Sequence, residues 1–400
     1  MDTLESREAV LEKIAAGESL EGIRLVALDL SESDLKNADF FDASFEKINF
    51  QGAQLTGANL KDTIFRDCNL TAARCDAANL EEARFLGSDL SEAILSGANL
   101  HGTEFETSSL EGCDLSGAVL RGAALANVNL KTANLSGTQI IDTDLEGADL
   151  QGADLNQANL KNSILTKADL TRAKFVETNL EGCEMVGCLL DGARIEKATF
   201  LQVDLESADL TSSSIKESIF QLCNLESANL EGLDLQRCRF TDSDLAKSNL
   251  GNVNLSESEC SQVKFSGADL TNAKFQKAAC KTADFTECII SSADFTGADL
   301  RCSCFEKADL KSANFTNARM DRVELSKADC ARAVFRKASI PFSLFSHANV
   351  QGADFTDADL TQAVLHRIDD KNAVWKGANK KNARSTDKDL AEAEDWKAPK

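Results

Sequence analysis

The chain has 400 residues, 43% of them hydrophobic, yet it holds only 2 Pro, no Tyr and as many as 21 Phe. It is too apolar for the disordered class, and too uniform for an assortment of ordinary globular domains, whose loops and core edges draw on Pro and Tyr. With 65 acidic and 43 basic side chains its net charge is −22, which sets it against nucleic acid and anionic membrane surfaces.

The charge is uneven. Residues 1–300 hold 50 acidic and 25 basic side chains, whereas residues 301–400 hold 15 and 18. An acidic body of this kind attracts a basic protein partner rather than a nucleic acid or a membrane. No stretch approaches the roughly 18 consecutive apolar residues of a membrane span.

Residues 1–19 read as an N-terminal helical cap. The opening MDTLESREAVLEKIAAGESL has neither the basic start nor the apolar run of a secretory signal. Thirteen Cys without such a signal imply reduced thiols and a cytoplasmic location. Within this segment 3–16 has helical spacing, with Leu4, Leu11, Ile14 and Ala15 on one face. Asp2 and Glu5 have capping-box spacing, and Gly17 suits a helix stop.

From Leu20 to Leu365 every fifth residue is Leu, Phe, Ile, Met, Val or Cys, and the phase never slips. Two residues before each lies a second restricted position, mostly Ala, Ser, Thr or Cys, and the residue between them is often Asp or Asn. The consensus A(D/N)LXX is cleanest in EGADLQGADLNQANL at 146–160. A period of five matches neither a helix nor a flat strand. It matches a chain that turns a corner every five residues, sending one large and one small side chain inward each time. Four such sides make a coil of 20 residues, and about 17 coils at roughly 4.8 Å would span roughly 80 Å.

This pattern resembles the pentapeptide-repeat family over about residues 20–365. The resemblance implies an all-β fold, a right-handed quadrilateral β-helix without loop insertions, closed by short helical caps.

A 20-residue coil sorts the large residues into ladders. Phe45, Phe65, Phe85 and Phe105 share one face, with Phe265, Phe285, Phe305 and Phe345 further along it. Phe275, Phe295, Phe315, Phe335, Phe355 and Trp375 share another, and Phe200, Phe220 and Phe240 a third. Such ladders are core and call for no ligand.

Residues 366–400 read as degenerate repeats with a C-terminal helical cap. The fifth positions become Asp370, Trp375, Lys380 and Ser385, and 386–396 reads as a short helix with Thr386 at its N-cap. Leu390, Ala393 and Trp396 can then face the last coil. An end cap also offers a route to oligomers.

Signs of chemistry are sparse. His101, His347 and His366 fall at outward or turn positions, and none has metal-motif spacing to a Cys or Glu. Eleven of the 13 Cys take inward positions, leaving only Cys302 and Cys304 outward as a lone CxC. There is no GxGxxG, Walker A motif or nucleophile elbow. The expectation is a protein with no catalytic residues, no cofactor and no metal.

One outward row stands out. Preceding positions 30, 50, 70 and so on, the residue is Asp or Asn at 14 of 17 places between Asp29 and Asn349. It includes Asp29, Asp89, Asp149, Asp169, Asp209, Asp269, Asp309 and Asp329. Such residues suit a corner by bonding local backbone; as a row they also form a candidate acidic interaction ladder.

The expected function is that of a non-enzymatic scaffold, binding a protein partner through an acidic surface. Some members of the family accompany bacterial contractile secretion systems, and LESREAVLEKIAAGESLEG and LAEAEDW resemble their ends. The alternative implied by the resemblance is a DNA mimic that binds DNA gyrase. The unbroken frame and the charged segment 366–400 speak against it.

Overall fold

The backbone hydrogen bonds of a single repeat explain the period of five. In the repeat 268–272, the Ala268 N–H donates to the Phe265 carbonyl at 2.8 Å and closes a corner. Asp269 N–H donates back to Ser248 O at 3.0 Å, while Leu270 and Asn272 donate forward to Ile289 O and Ser291 O at 2.7 and 3.0 Å. That leaves Thr271 N–H, which donates to the Asp269 carboxylate at 2.9 Å. All five donors are matched within the coil and the two coils stacked against it, as a buried or half-buried backbone requires.

The structure, a computed structural model, describes residues 4–396. It is a parallel β-solenoid with two short helices. Three-residue strands form at ten places: β1 (Arg24–Val26), β2 (Ser44–Glu46), β3 (Ile64–Arg66), β4 (Arg84–Leu86), β5 (Glu104–Glu106), β6 (Lys174–Val176), β7 (Arg194–Glu196), β8 (Thr199–Leu201), β9 (Ser214–Lys216) and β10 (Ile219–Gln221). Elsewhere the sides are joined by single parallel bridges, so strands are fewer than the sides of the expected coils. The second residue after nearly every large inward position adopts positive φ, as at Asn37 (54°), Lys47 (56°) and Gly97 (64°).

The chain divides into two compact units, Met1–Asp204 with Ser212–Ser214, and Leu205–Thr211 with Ile215–Lys400. In the first, β1 to β5 form a parallel sheet with Leu25, Phe45, Phe65, Phe85 and Phe105 in register. The bridges Asp29↔Asn49, Asp34↔Gln54 and Asp39↔Asn59 mark the other three sides of the same coil. Phe65 and Phe85 stack at 4.5 Å, and Phe85 and Phe105 at 5.1 Å, whereas Phe45 tilts against Phe65 by 49°.

Helix α1 (Arg7–Ala15) begins four residues later than expected. Its N-cap is Ser6, whose hydroxyl accepts the Ala9 N–H at 3.2 Å. Asp2, assigned above to a capping box, lies outside the described residues, and Glu5 precedes the helix. Gly17 (φ 73°) ends the segment as expected, its N–H donating to Ile14 O. The residue that α1 buries is Val10; Leu11 and Ile14 are half-buried and Ala15 is exposed.

The second unit keeps the same frame, with Asn229↔Asn249, Asp234↔Asn254, Arg239↔Glu259 and Asp244↔Lys264 on its four sides. Phe275, Phe295, Phe315, Phe335, Phe355 and Trp375 form one continuous stack with ring separations of 4.3–5.1 Å. Phe265, Phe285 and Phe305 form a second, and Phe220 stacks on Phe240 at 5.2 Å. Phe345 meets Phe335 and Phe355 edge-on, while Phe200, in the first unit, is fully buried. Trp375 stays half-buried, with Lys380 Nζ 4.5 Å from its ring centre.

Helix α2 (Lys388–Asp395) corrects the expected C-terminal cap. Asp387, not Thr386, is its N-cap, accepting the Leu390 N–H at 3.1 Å. Leu390, Ala393 and Trp396 do not pack on a coil: Leu390 is 49% exposed, Trp396 is 70% exposed and no residue of α2 is buried. Charged groups hold the helix instead.

Candidate functional site

The corner row of acidic residues has one geometry throughout. Ser31, Ser91, Gln151 and Thr171 N–H groups donate to Asp29, Asp89, Asp149 and Asp169 at 2.9–3.3 Å in the first unit. Thr211, Thr271, Lys311 and Ala331 do the same to Asp209, Asp269, Asp309 and Asp329 at 2.9–3.2 Å in the second. Each carboxylate supplies the acceptor that its corner amide lacks. Some are also neutralised: Lys131 reaches Asp149 at 3.0 Å, and Lys311 bridges Asp309 and Asp329 at 2.9 and 3.2 Å. The Ser31 hydroxyl and amide hold the Asp29 carboxyl below its ordinary range. Each of these carboxylates thus serves its own corner through one oxygen, while Asp29 and Asp89 remain exposed.

A different cluster forms within the second unit, where α2 meets the repeats that carry His347 and His366. Glu394 reaches two histidines, His347 Nε2 at 3.2 Å from Oε1 and His366 Nε2 at 3.2 Å from Oε2. The imidazoles cross nearly edge-on, 5.4 Å apart. Arg367 Nε lies 3.2 Å from Glu394 Oε2, and its terminal nitrogens clamp Asp395 and donate to Ala391 O at 2.7 Å. Thr386 Oγ1 accepts the Arg367 N–H, and Asp387 N–H donates to His366 Nδ1 at 3.1 Å. Hydrogen bonding by His366, then by His347, lowers the Glu394 pKa, and Arg367 lowers that of Asp395.

One sequence expectation fails here. His366 is not an outward residue but only 3% exposed, because α2 covers it. A histidine pair does meet a carboxylate: His347, His366 and Glu394 are the one group of three or more potential metal ligands among the described residues. Their sequence separations of 19 and 28 residues match no linear motif.

Profiles of known families match along most of the chain. The pentapeptide repeats profile covers residues 33–71, 143–182, 153–192, 173–212, 188–226, 303–340 and 343–369. The pentapeptide repeat region profile covers 58–135, 213–295 and 233–315. The chain is a pentapeptide-repeat protein. No curated protein sequence matches it. Among solved structures it is similar to HetL, a pentapeptide repeat protein involved in heterocyst differentiation regulation in Nostoc sp., at 28% identity over 56% of this chain and 97% of that one, with a TM-score of 0.40. It is also similar to Rfr23 from Cyanothece, at 29% identity over 23% and 63% of the two chains (TM-score 0.23). A third is QnrB1, a plasmid-mediated fluoroquinolone resistance protein, at 18% identity over 50% and 96% (TM-score 0.27).

The cysteines of this pentapeptide-repeat protein behave as core. Eleven of its 13 free Cys are buried, and only Cys302 is exposed and Cys304 half-buried. Cys302 opens onto a shallow groove with Arg301, Arg322 and Phe342, whereas Cys304 Sγ accepts from Thr286 Oγ1 at 3.3 Å. Neither joins the ligand cluster. No described helix is long and apolar enough to cross a membrane.

Proposed function

We propose that this pentapeptide-repeat protein is a non-enzymatic binding scaffold that presents exposed carboxylates to a basic protein surface. The carrying observation is that the interior is filled. Large inward residues are almost fully buried, and no buried side-chain N or O among the described residues lacks a partner. Nothing inside is left to bind a substrate, so binding falls to the outer faces. The corner Asp row is engaged with backbone, which shifts the contact role to glutamates at the positive-φ positions. Glu32, Glu82 and Glu92 of the first unit are exposed there.

The test is a binding measurement on the full chain with a partner first identified by affinity capture. Glu32→Lys, Glu82→Lys and Glu92→Lys combined should weaken binding of the purified partner at least about 10-fold. Raising the salt to about 0.5 M should do the same for the unaltered chain. Unchanged affinity after charge reversal would overturn the reading. Inhibition of gyrase supercoiling at low salt would replace it with duplex mimicry.

A further inference from the structure

We propose that His347, His366 and Glu394 form a binding site for a borderline divalent cation, zinc(II) by preference, which ties α2 to the repeats that carry the two histidines. The three potential ligand atoms all lie within 4.8 Å of one another. Zinc bonds imidazole nitrogen and carboxylate oxygen at about 2.0–2.2 Å, which puts ligand atoms roughly 3.3 Å apart around a tetrahedral ion. Each imidazole already faces one oxygen of Glu394 at 3.2 Å, His347 Nε2 on Oε1 and His366 Nε2 on Oε2. The three ligand atoms must still draw together from within 4.8 Å of one another to that spacing. Two imidazoles and one carboxylate suit zinc better than magnesium or calcium, which prefer all-oxygen sets. Three protein ligands leave the fourth position to solvent.

The surroundings are consistent with a cation. Arg367 brings a positive charge, but it is clamped on Asp395, next in sequence to the ligand Glu394. With Glu394 and Asp395 ionised, these three side chains sum to one negative charge. The guanidinium, 3.2 Å from Glu394, also fixes the carboxylate that would bind.

One contact must change, and it gives the site a distinctive signature. His366 Nδ1 accepts the Asp387 N–H, so the neutral ring carries its proton on Nε2, facing Glu394. An ion at Nε2 sends that proton to Nδ1, opposite the Asp387 amide, which must then turn away. Zinc binding therefore loosens the N-cap of α2 while anchoring its last turn through Glu394.

The experiment is calorimetric titration of the full chain with zinc chloride after chelator treatment, with amide exchange of 386–395 measured on the loaded protein. The proposal expects one saturable site per chain. Affinity should fall at least about 10-fold in His347→Gln and in Glu394→Gln, both checked for an intact fold by circular dichroism. The Cys302→Ser/Cys304→Ser variant should bind normally. On loading, exchange should quicken at Asp387 and slow near Glu394. Absence of saturable binding, binding that survives both ligand substitutions, or binding lost with the two cysteines would each overturn the site. None of these outcomes bears on the partner-binding reading, which concerns the first unit.

Discussion

At the Asp and Asn corners of the solenoid one backbone donor is met by the side chain of the residue before the large inward position. At Asp269 the carboxylate takes both the Thr271 N–H at 2.9 Å and its hydroxyl at 2.6 Å. Replacing it with Ala removes these acceptors and should cost about 1 kcal/mol. Asp269→Asn keeps a carbonyl oxygen in place and should cost distinctly less while deleting the charge. Urea unfolding of the two variants measures the difference; equal losses would show that charge, not hydrogen bonding, holds the corner. The Asp/Asn alternation was readable from sequence as a corner preference, because either side chain offers the same acceptor. That each row member is engaged in this way required coordinates. Position in the repeat identifies which carboxylates sit at corners; it does not count the lysines, such as Lys131 and Lys311, that reach Asp149 and Asp329 from the neighbouring coil.

The two helices show where a pattern of residues stops being informative. The five-residue phase determined the sides, the ladders and the buried cysteines, since each inward position meets the same narrow interior. The helices have no such frame. In α1, Ser6 caps because its hydroxyl reaches Ala9 N–H, and the burial falls on Val10. In α2, an eight-residue helix with a net acidic sequence, docking comes from Glu394 and Asp395 rather than from Leu390 and Trp396. A consequence follows for pH. Hydrogen bonding by His366 and His347 depresses the Glu394 pKa, and Arg367 depresses that of Asp395. A carboxyl whose folded pKa lies below its unfolded value stabilises docking fully above the unfolded range, near pH 4, and loses that contribution as pH falls through the folded value. The docking of α2 should therefore hold from pH 7 to 5 and weaken only as the pH falls below the ordinary carboxylate range. Amide exchange over 388–395, corrected for the intrinsic rate, checks this against the repeat 268–272 as an internal reference. Protection of α2 that never falls relative to that reference as the carboxylates are protonated would show that the ionic contacts do not hold it.

Across the whole molecule the cysteines report on how the coils open. Burial pushes the thiols of Cys75, Cys113, Cys183, Cys188 and Cys288 up to about 12, and those of Cys68 and Cys238 up to about 11. Near pH 8 these groups are neutral thiols, and the thiolate is the nucleophile. They are also out of reach behind inward-facing backbone. A disulfide reagent at about pH 8 should therefore titrate two of the 13 cysteines quickly, Cys302 and Cys304, and all 13 only in denaturant. The slow eleven carry the physical content. Ordering five residues for one large apolar group leaves a single coil with little stability of its own, so each coil depends on its stacked neighbours. If that coupling is strong, the buried thiols of one unit react together at the rate of its cooperative opening, and the rate rises with denaturant along a common slope. Were coils to open singly, Cys68 and Cys183, both of the first unit, would react at separate rates with shallow denaturant dependence. Rapid labelling of more than two thiols in the native protein would count against a closed, mutually supported interior.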